Sequence, residues 1–190
     1  LSLREAIALA NADTSTTDTI EFDAGLSGGQ INLTLGQLLI EGDLTIDGDI
    51  AGDDAAEITI DADSSDGAND AASRIFDILS GGVDGGADVT LNGLVLENGV
   101  TTGFDEDGGA VRVSGDDALT LTNSTVQNNT SFSDGGGVSS EGSLVITNST
   151  FTGNFAADAG GGVDVDEGGV TLTDVTLTYN VANQGGGGVF

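Results

Sequence analysis

The sequence contains no cysteine and no histidine. Those two absences remove disulfides, thiol nucleophiles, imidazole general bases and the usual zinc ligands together. Lysine is missing as well: the three basic residues are Arg4, Arg74 and Arg112, set against 32 acidic ones, for a formal charge of −29. A field of that sign repels phosphate backbones and anionic lipid, so nucleic acid is excluded as a partner and an anionic membrane surface is a poor one. Any enzyme built from these residues has to rely on carboxylates, hydroxyls or an arginine. Proline, methionine and tryptophan are also absent. No stretch of eighteen apolar residues occurs, and neither a membrane span nor a signal peptide is expected within these residues.

What remains is rich in glycine, 32 of 190 residues, against a background near ~7%. Frequent tight corners follow. Hydrophobic residues make up 37% of the chain and the mean hydropathy is +0.07, enough apolar surface to fold where a purely acidic chain would stay disordered. The length suits one domain or a run of short repeats. An Asp-rich, lysine-free surface fits a protein kept soluble in concentrated salt, and it equally fits a surface that collects calcium.

The first residues differ from the rest. Leu3, Ala6, Ile7 and Ala10 recur at i, i+3, i+4 and i+7, and Ser2 with Glu5 forms an S-x-x-E capping box, so an amphipathic helix is predicted within 1–12. From Thr19 onward the period is two. Thr19–Phe22, Gln30–Leu33, Asp43–Ile46, Glu57–Ile60 and Arg74–Ile78 read as half-buried strands separated mostly by Gly, Asp, Asn and Ser turns. No helical pattern long enough for a βαβ crossover follows any of them.

Internal repetition decides the fold class. Residues 108–134, 135–159 and 160–184 superimpose as units of 27, 25 and 25 residues. Each opens with a glycine tract and Val111, Val138 or Val163, turns through glycine, and runs along an alternating strand. Each closes on an apolar-x-x-Asn step that ends at Asn129, Asn154 or Asn180. Val89 to Asn98 fits as an earlier copy with one residue missing. A period near 25 residues with several strands and no helix predicts a solenoid of parallel strands, each coil resting on the last at about 4.8 Å. Equivalent residues then stack, with Asn129, Asn154 and Asn180 as an asparagine ladder and Val126, Phe151 and Leu177 as an apolar column. The organisation read from this is a capping helix at 1–12, irregular first coils at 13–107 and regular repeats at 108–190. The tract Gly185 to Phe190 reopens the pattern, so residue 190 reads as a break inside a coil.

Leu1-Ser-Leu-Arg-Glu-Ala-Ile7 followed by Asn11 resembles the CSLREA motif that opens many large bacterial and archaeal surface proteins. Thr19–Phe22, Gly25-Leu26, Ile31–Thr34 and Leu44–Gly48 follow in the order expected of them. Gly108–Val111 and Phe151–Asn154 are similar to the GGA[I/L/V] and FxxN repeats of polymorphic outer-membrane proteins. The resemblance implies a right-handed parallel β-helix, all-β apart from its cap, serving as the passenger or stalk of a long secreted or surface-anchored protein. It implies an extracellular or cell-surface location. The partners implied are further coils of the parent chain, another copy, or a cell-surface glycan ligand engaged through loops such as 63–73 and 101–107. The departure is Leu1, which stands where the motif has Cys and leaves an apolar contact for the end of the helix in place of a thiol.

Candidate ligands for calcium are the hard oxygens of Asp61, Asp63 and Asp66, with Asn69 and Asp70 behind them, and of Asp105, Glu106 and Asp107. The first group misses the EF-hand order by one residue and lacks its final Glu, and a solvated acidic loop is the simpler account of both. Asp107, Asp134 and Asp158 precede successive glycine tracts; stacked at coil spacing, they must splay outward or share cations. The rival to a structural rod is a polysaccharide lyase or hydrolase, because such enzymes also use parallel β-helices. A lyase needs a base, and only Arg74 or Arg112 is available. Arg112, between Val111 and Val113, faces outward, with Asp164 facing the same way two coils later. A hydrolase needs two carboxylates about 5 or 6.5–9.5 Å apart in a cleft. Asn32, Asn123, Asn128, Asn129 and Asn148 begin N-x-[S/T] triplets; the ladder and repeat positions are expected to stay unmodified.

Overall fold

The computed structural model describes residues 1–13, 16–63, 73–80, 85–103 and 106–190. It is an all-β parallel solenoid of about six turns with one short helix at its N-terminal end. The first face stacks Asp18–Glu21, Leu44–Asp47, Asp88–Asn92, Ala118–Thr122, Ser143–Thr147 and Val170–Thr173. The second stacks Gln30–Asn32, Ile58–Asp61, Leu94–Glu97, Thr125–Gln127, Thr150–Thr152 and Thr176–Thr178. The third stacks Leu38–Ile40, Phe76–Ile78, Val111–Val113, Val138–Ser140 and Val163–Val165, and a short ladder of Thr130–Ser131, Phe155–Ala156 and Val181–Ala182 runs beside the last coils.

The alternation seen in the sequence sets the inside and the outside. Leu91, Leu121, Ile146 and Leu172 are successive register partners on the first face, and the first three are fully buried. Val126, Phe151 and Leu177 stack on the second face as expected, with Phe151 wholly inaccessible between its neighbours. Burying a side chain of that kind stabilises the fold by roughly 1.5–3 kcal/mol. No coil could bury such a column alone, because each supplies only one layer of it.

Where strands turn, asparagine carries the corner. Asn154 Nδ2 donates to Asn180 Oδ1 at 2.9 Å and to Val126 O at 2.9 Å, while Asn154 Oδ1 accepts from both N and Nδ2 of Asn129 at 3.0 Å. The buried ladder read from the sequence is therefore present. In the earlier copy the register from Val89 onward is unbroken, and Gly99 occupies the ladder position with its N–H donated to Asn129 Oδ1 at 2.7 Å. The residue that seemed missing is an asparagine replaced by glycine. A second ladder, not foreseen, runs along the outside: Asn148 Nδ2 to Asn123 Oδ1, Asn123 Nδ2 to Asn92 Oδ1 and Asn92 Nδ2 to Asp47 Oδ1, each 2.8 Å. Asn123 and Asn148 take φ of 52° and 47°, a left-handed corner that asparagine tolerates.

The helix spans Leu3–Ala10, with the capping box formed as read: Ser2 Oγ accepts from Glu5 N at 3.3 Å and Glu5 Oε2 accepts from Ser2 N at 2.9 Å. Leu3 and Ile7 are buried on the solenoid end. The strand Leu38–Ile40, whose apolar run lacks the period-two signal, forms the edge of the third face there. Asn11 treats it as a neighbouring strand would, donating to Leu39 O at 2.8 Å and accepting from Glu41 N at 3.0 Å. Arg4 donates to the carbonyls of Gln37, at 2.8 Å, and Gly36. Leu1 makes no such contact: it is 94% exposed, because the chain enters the helix from solvent and the box at Ser2 fixes that direction. At the other end the last coil leaves Val170, Val181 and Phe190 exposed.

Candidate functional site

The outward column of the third face reads Leu39, Asp77, Arg112, Ser139 and Asp164 from coil to coil. Outward residues of a solenoid normally meet water, yet Asp77, Ser139 and Asp164 are 4%, 3% and 1% exposed. Glycine tracts explain this for Ser139 and Asp164, whereas Asp77 is covered by Gln37, Arg74 and Arg112. A Cβ at Gly135 would stand 2.6 Å from the Cβ of Ser139, and one at Gly160 would stand 2.5 Å from that of Asp164. Both glycines have left-handed φ, 63° and 61°, so the backbone before each strand doubles back over the residue four positions later. The result is a roofed, polar column outside the apolar core.

Its first half is an ion cluster. Arg112 grips Asp77 with Nε to Oδ1 at 2.9 Å and a terminal nitrogen to Oδ2 at 3.2 Å, while Arg74 approaches Oδ2 at 3.4 Å. Gln37 donates to the same oxygen at 2.9 Å. Burial pushes the Arg74 guanidinium down from its ordinary value, with Asp77 opposing that, and its Nε is buried without a partner. Arg112 therefore does face outward as the alternation indicated, and its charge is committed to Asp77.

The second half, Ser139 and Asp164, has no arginine and lies beside the acidic column that precedes the glycine tracts. The carboxylates of the glycine-tract column do not splay into solvent; each reaches for the following coil. Asp107 Oδ1 accepts from Asp134 N at 3.2 Å, Asp134 Oδ1 from Ala159 N at 2.7 Å, and Asp158 Oδ1 from Gln184 Nε2. All three are half-buried. Burial pushes Asp134 up, the Ala159 N–H pulls it down, and Asp107, Asp158 and Asp166 push it up again. Asp164 is pushed up to about 7, first by burial and then by Asp134, Asp166 and Asp107, and its Oδ1 has no hydrogen-bond partner.

The other sequence candidates are scattered. Asp61 and Asp63 sit on the second face, where Asp61 Oδ1 accepts from Asp63 N at 2.8 Å and Asn98 Nδ2 at 2.9 Å, and Oδ2 accepts from Gln30 Nε2 at 2.8 Å. Three N–H donors thus already hold Asp61. Asp107 stands before the third-face strand Val111–Val113, in the column it shares with Asp134 and Asp158. Asp66 and Asp105 lie outside the described residues. Glu106 folds inward on its own loop, its Oε2 accepting from Thr102 N and Gly103 N at 3.2 and 3.0 Å, which lowers its carboxyl below the usual range.

Two acidic features escaped the sequence reading. Asp49, Asp53 and Glu57 bring carboxylate oxygens within 4.8 Å of one another beside a cleft of about 220 Å³ lined by Glu21, Phe22, Asp47, Asp49 and Ile50. The D-x-x-x-D-x-x-x-E spacing was the available signal. Asp117, 1% exposed, accepts from Ala87 N at 2.8 Å and Ser80 N at 3.2 Å. Searches of family profiles, curated proteins and solved structures return no match to the chain. No helix among the described residues is long and apolar enough to cross a membrane.

Proposed function

We propose that this chain is a non-enzymatic β-helical segment of a larger secreted or cell-surface protein, acting as a stiff structural or adhesive rod. The observation that carries the reading is the unbroken coil-to-coil register of three faces, with a short helix packed on the first coil. A rod of stacked coils resists bending because every backbone ladder lies along its axis. Coils of this kind stack on further coils, and the acidic outer columns keep neighbouring rods apart. The similarity to CSLREA-type and polymorphic outer-membrane-type surface proteins points the same way.

A polysaccharide lyase is the less favoured reading. Such an enzyme needs Arg74 or Arg112 as its base, yet Arg112 is tied to Asp77 by a bidentate bond and Arg74 is buried against the same carboxylate, which leaves neither free for a substrate. The experiment is immunolabelling of intact cells of the source organism, with and without permeabilisation, alongside depolymerisation assays on acidic and neutral polysaccharides. Labelling without permeabilisation and no cleavage are expected. Label confined to permeabilised cells, or cleavage abolished by Arg112→Ala, would overturn the proposal.

A further inference from the structure

The geometry points to a divalent-cation site between Asp134 and Asp164, under the glycine roof of the third face. This goes beyond the rod and does not depend on it. Asp134 Oδ1 is bonded to the N–H of Ala159, and at the next residue, Gly160, an added Cβ would stand 2.5 Å from the Cβ of Asp164. Both carboxylates therefore flank one short piece of backbone, residues 159–160. Asp164 is 1% exposed, and its Oδ1 is buried without any donor. A bare carboxylate oxygen in such a place is costly unless something positive reaches it.

Nothing among its neighbours is positive. Burial first, and then Asp134, Asp166 and Asp107, all acidic, hold the Asp164 carboxyl up near 7. The nearest arginine in the column, Arg112, lies two coils back and is bonded to Asp77. In the same column position the preceding coil has Ser139, so the anionic character is specific to the coil of Asp164. Oxygen ligands from carboxylates on adjacent coils, with no nitrogen or sulfur, suit calcium rather than a transition metal.

The test is equilibrium dialysis of the 190-residue chain against radioactive calcium at pH 8 and about 0.15 M salt, where surface screening is strong. Wild type is compared with Asp164→Asn, Asp134→Asn and Asp49→Asn. The expected result is that Asp164→Asn and Asp134→Asn each bind one calcium fewer than wild type, or bind it at least tenfold more weakly. Asp49→Asn, on the exposed cluster of the first coils, retains that ion. Equal stoichiometry and affinity in wild type and Asp164→Asn would overturn the inference, as would the absence of any saturable binding. Asp134 is half-exposed, so its variant carries the test should Asp164→Asn fail to fold.

Discussion

At Asp164 burial works against charge, and the pH dependence of the fold follows. An aspartate in the unfolded chain ionises near 3.8, whereas in the solenoid this one keeps its proton to about 7. A raised acid contributes its full stability below the unfolded value and loses it as pH climbs through the folded one. Thermal melts in a chelator, from pH 4 to 8, are expected to show Asp164→Asn and wild type close together at pH 4. The variant should gain progressively toward pH 8. Parallel profiles would contradict the burial argument. Asn154 shows the opposite solution to the same problem: equally inaccessible, it is neutral, and both its donor and its acceptor are used by adjacent coils. The asparagines were legible because they repeat at the coil period. Asp164 was legible as outward, between Val163 and Val165, but its burial was not, since the roof comes from backbone of other residues.

Among elements, the terminal helix has the most visible job. Asn11 bonds Leu39 O of the edge strand and Glu41 N just after it, and Arg4 the carbonyls of Gly36 and Gln37 just before it, which occupies polar groups that a second molecule could otherwise pair with. Removing Asn11 leaves a carbonyl and an N–H of that edge without their partner. Asn11→Ala is expected to lower stability by about 1–2 kcal/mol in urea titrations. Leu1→Ala, at a side chain already in solvent, should stay within about 0.5 kcal/mol. Equal losses would mean that the cap works by apolar contact and not by strand mimicry. The helix itself was plain from Ser2, Glu5 and the Leu3–Ile7 stripe. Its partner strand was not, because Leu38, Leu39 and Ile40 show no alternation, and its place depends on pairing with Phe76–Ile78, far along the chain.

On the scale of the molecule, a charge of −29 is spread over a narrow stack in which like positions lie one coil apart. Only three arginines oppose it, and two of them are bound to Asp77. Self-repulsion of this density is screened within about 10 Å at 0.1 M salt. The melting temperature should therefore rise as sodium chloride increases from about 0.05 to about 1 M; a flat profile would show that the carboxylates are already neutralised by protons or bound cations. The repeats made the whole architecture readable, because 25-residue spacing admits few packings. The acidic sites were less so. Asp49, Asp53 and Glu57 meet through a loop whose path no periodicity records, whereas the stacking of Asp107 on Asp134 was legible from their place before successive glycine tracts.

The helix that stoppers one end also gives the molecule a direction. A chain folding from that end begins with Leu39 and Glu41 already bonded to Asn11, a fixed edge from which the following coils can be laid down in order.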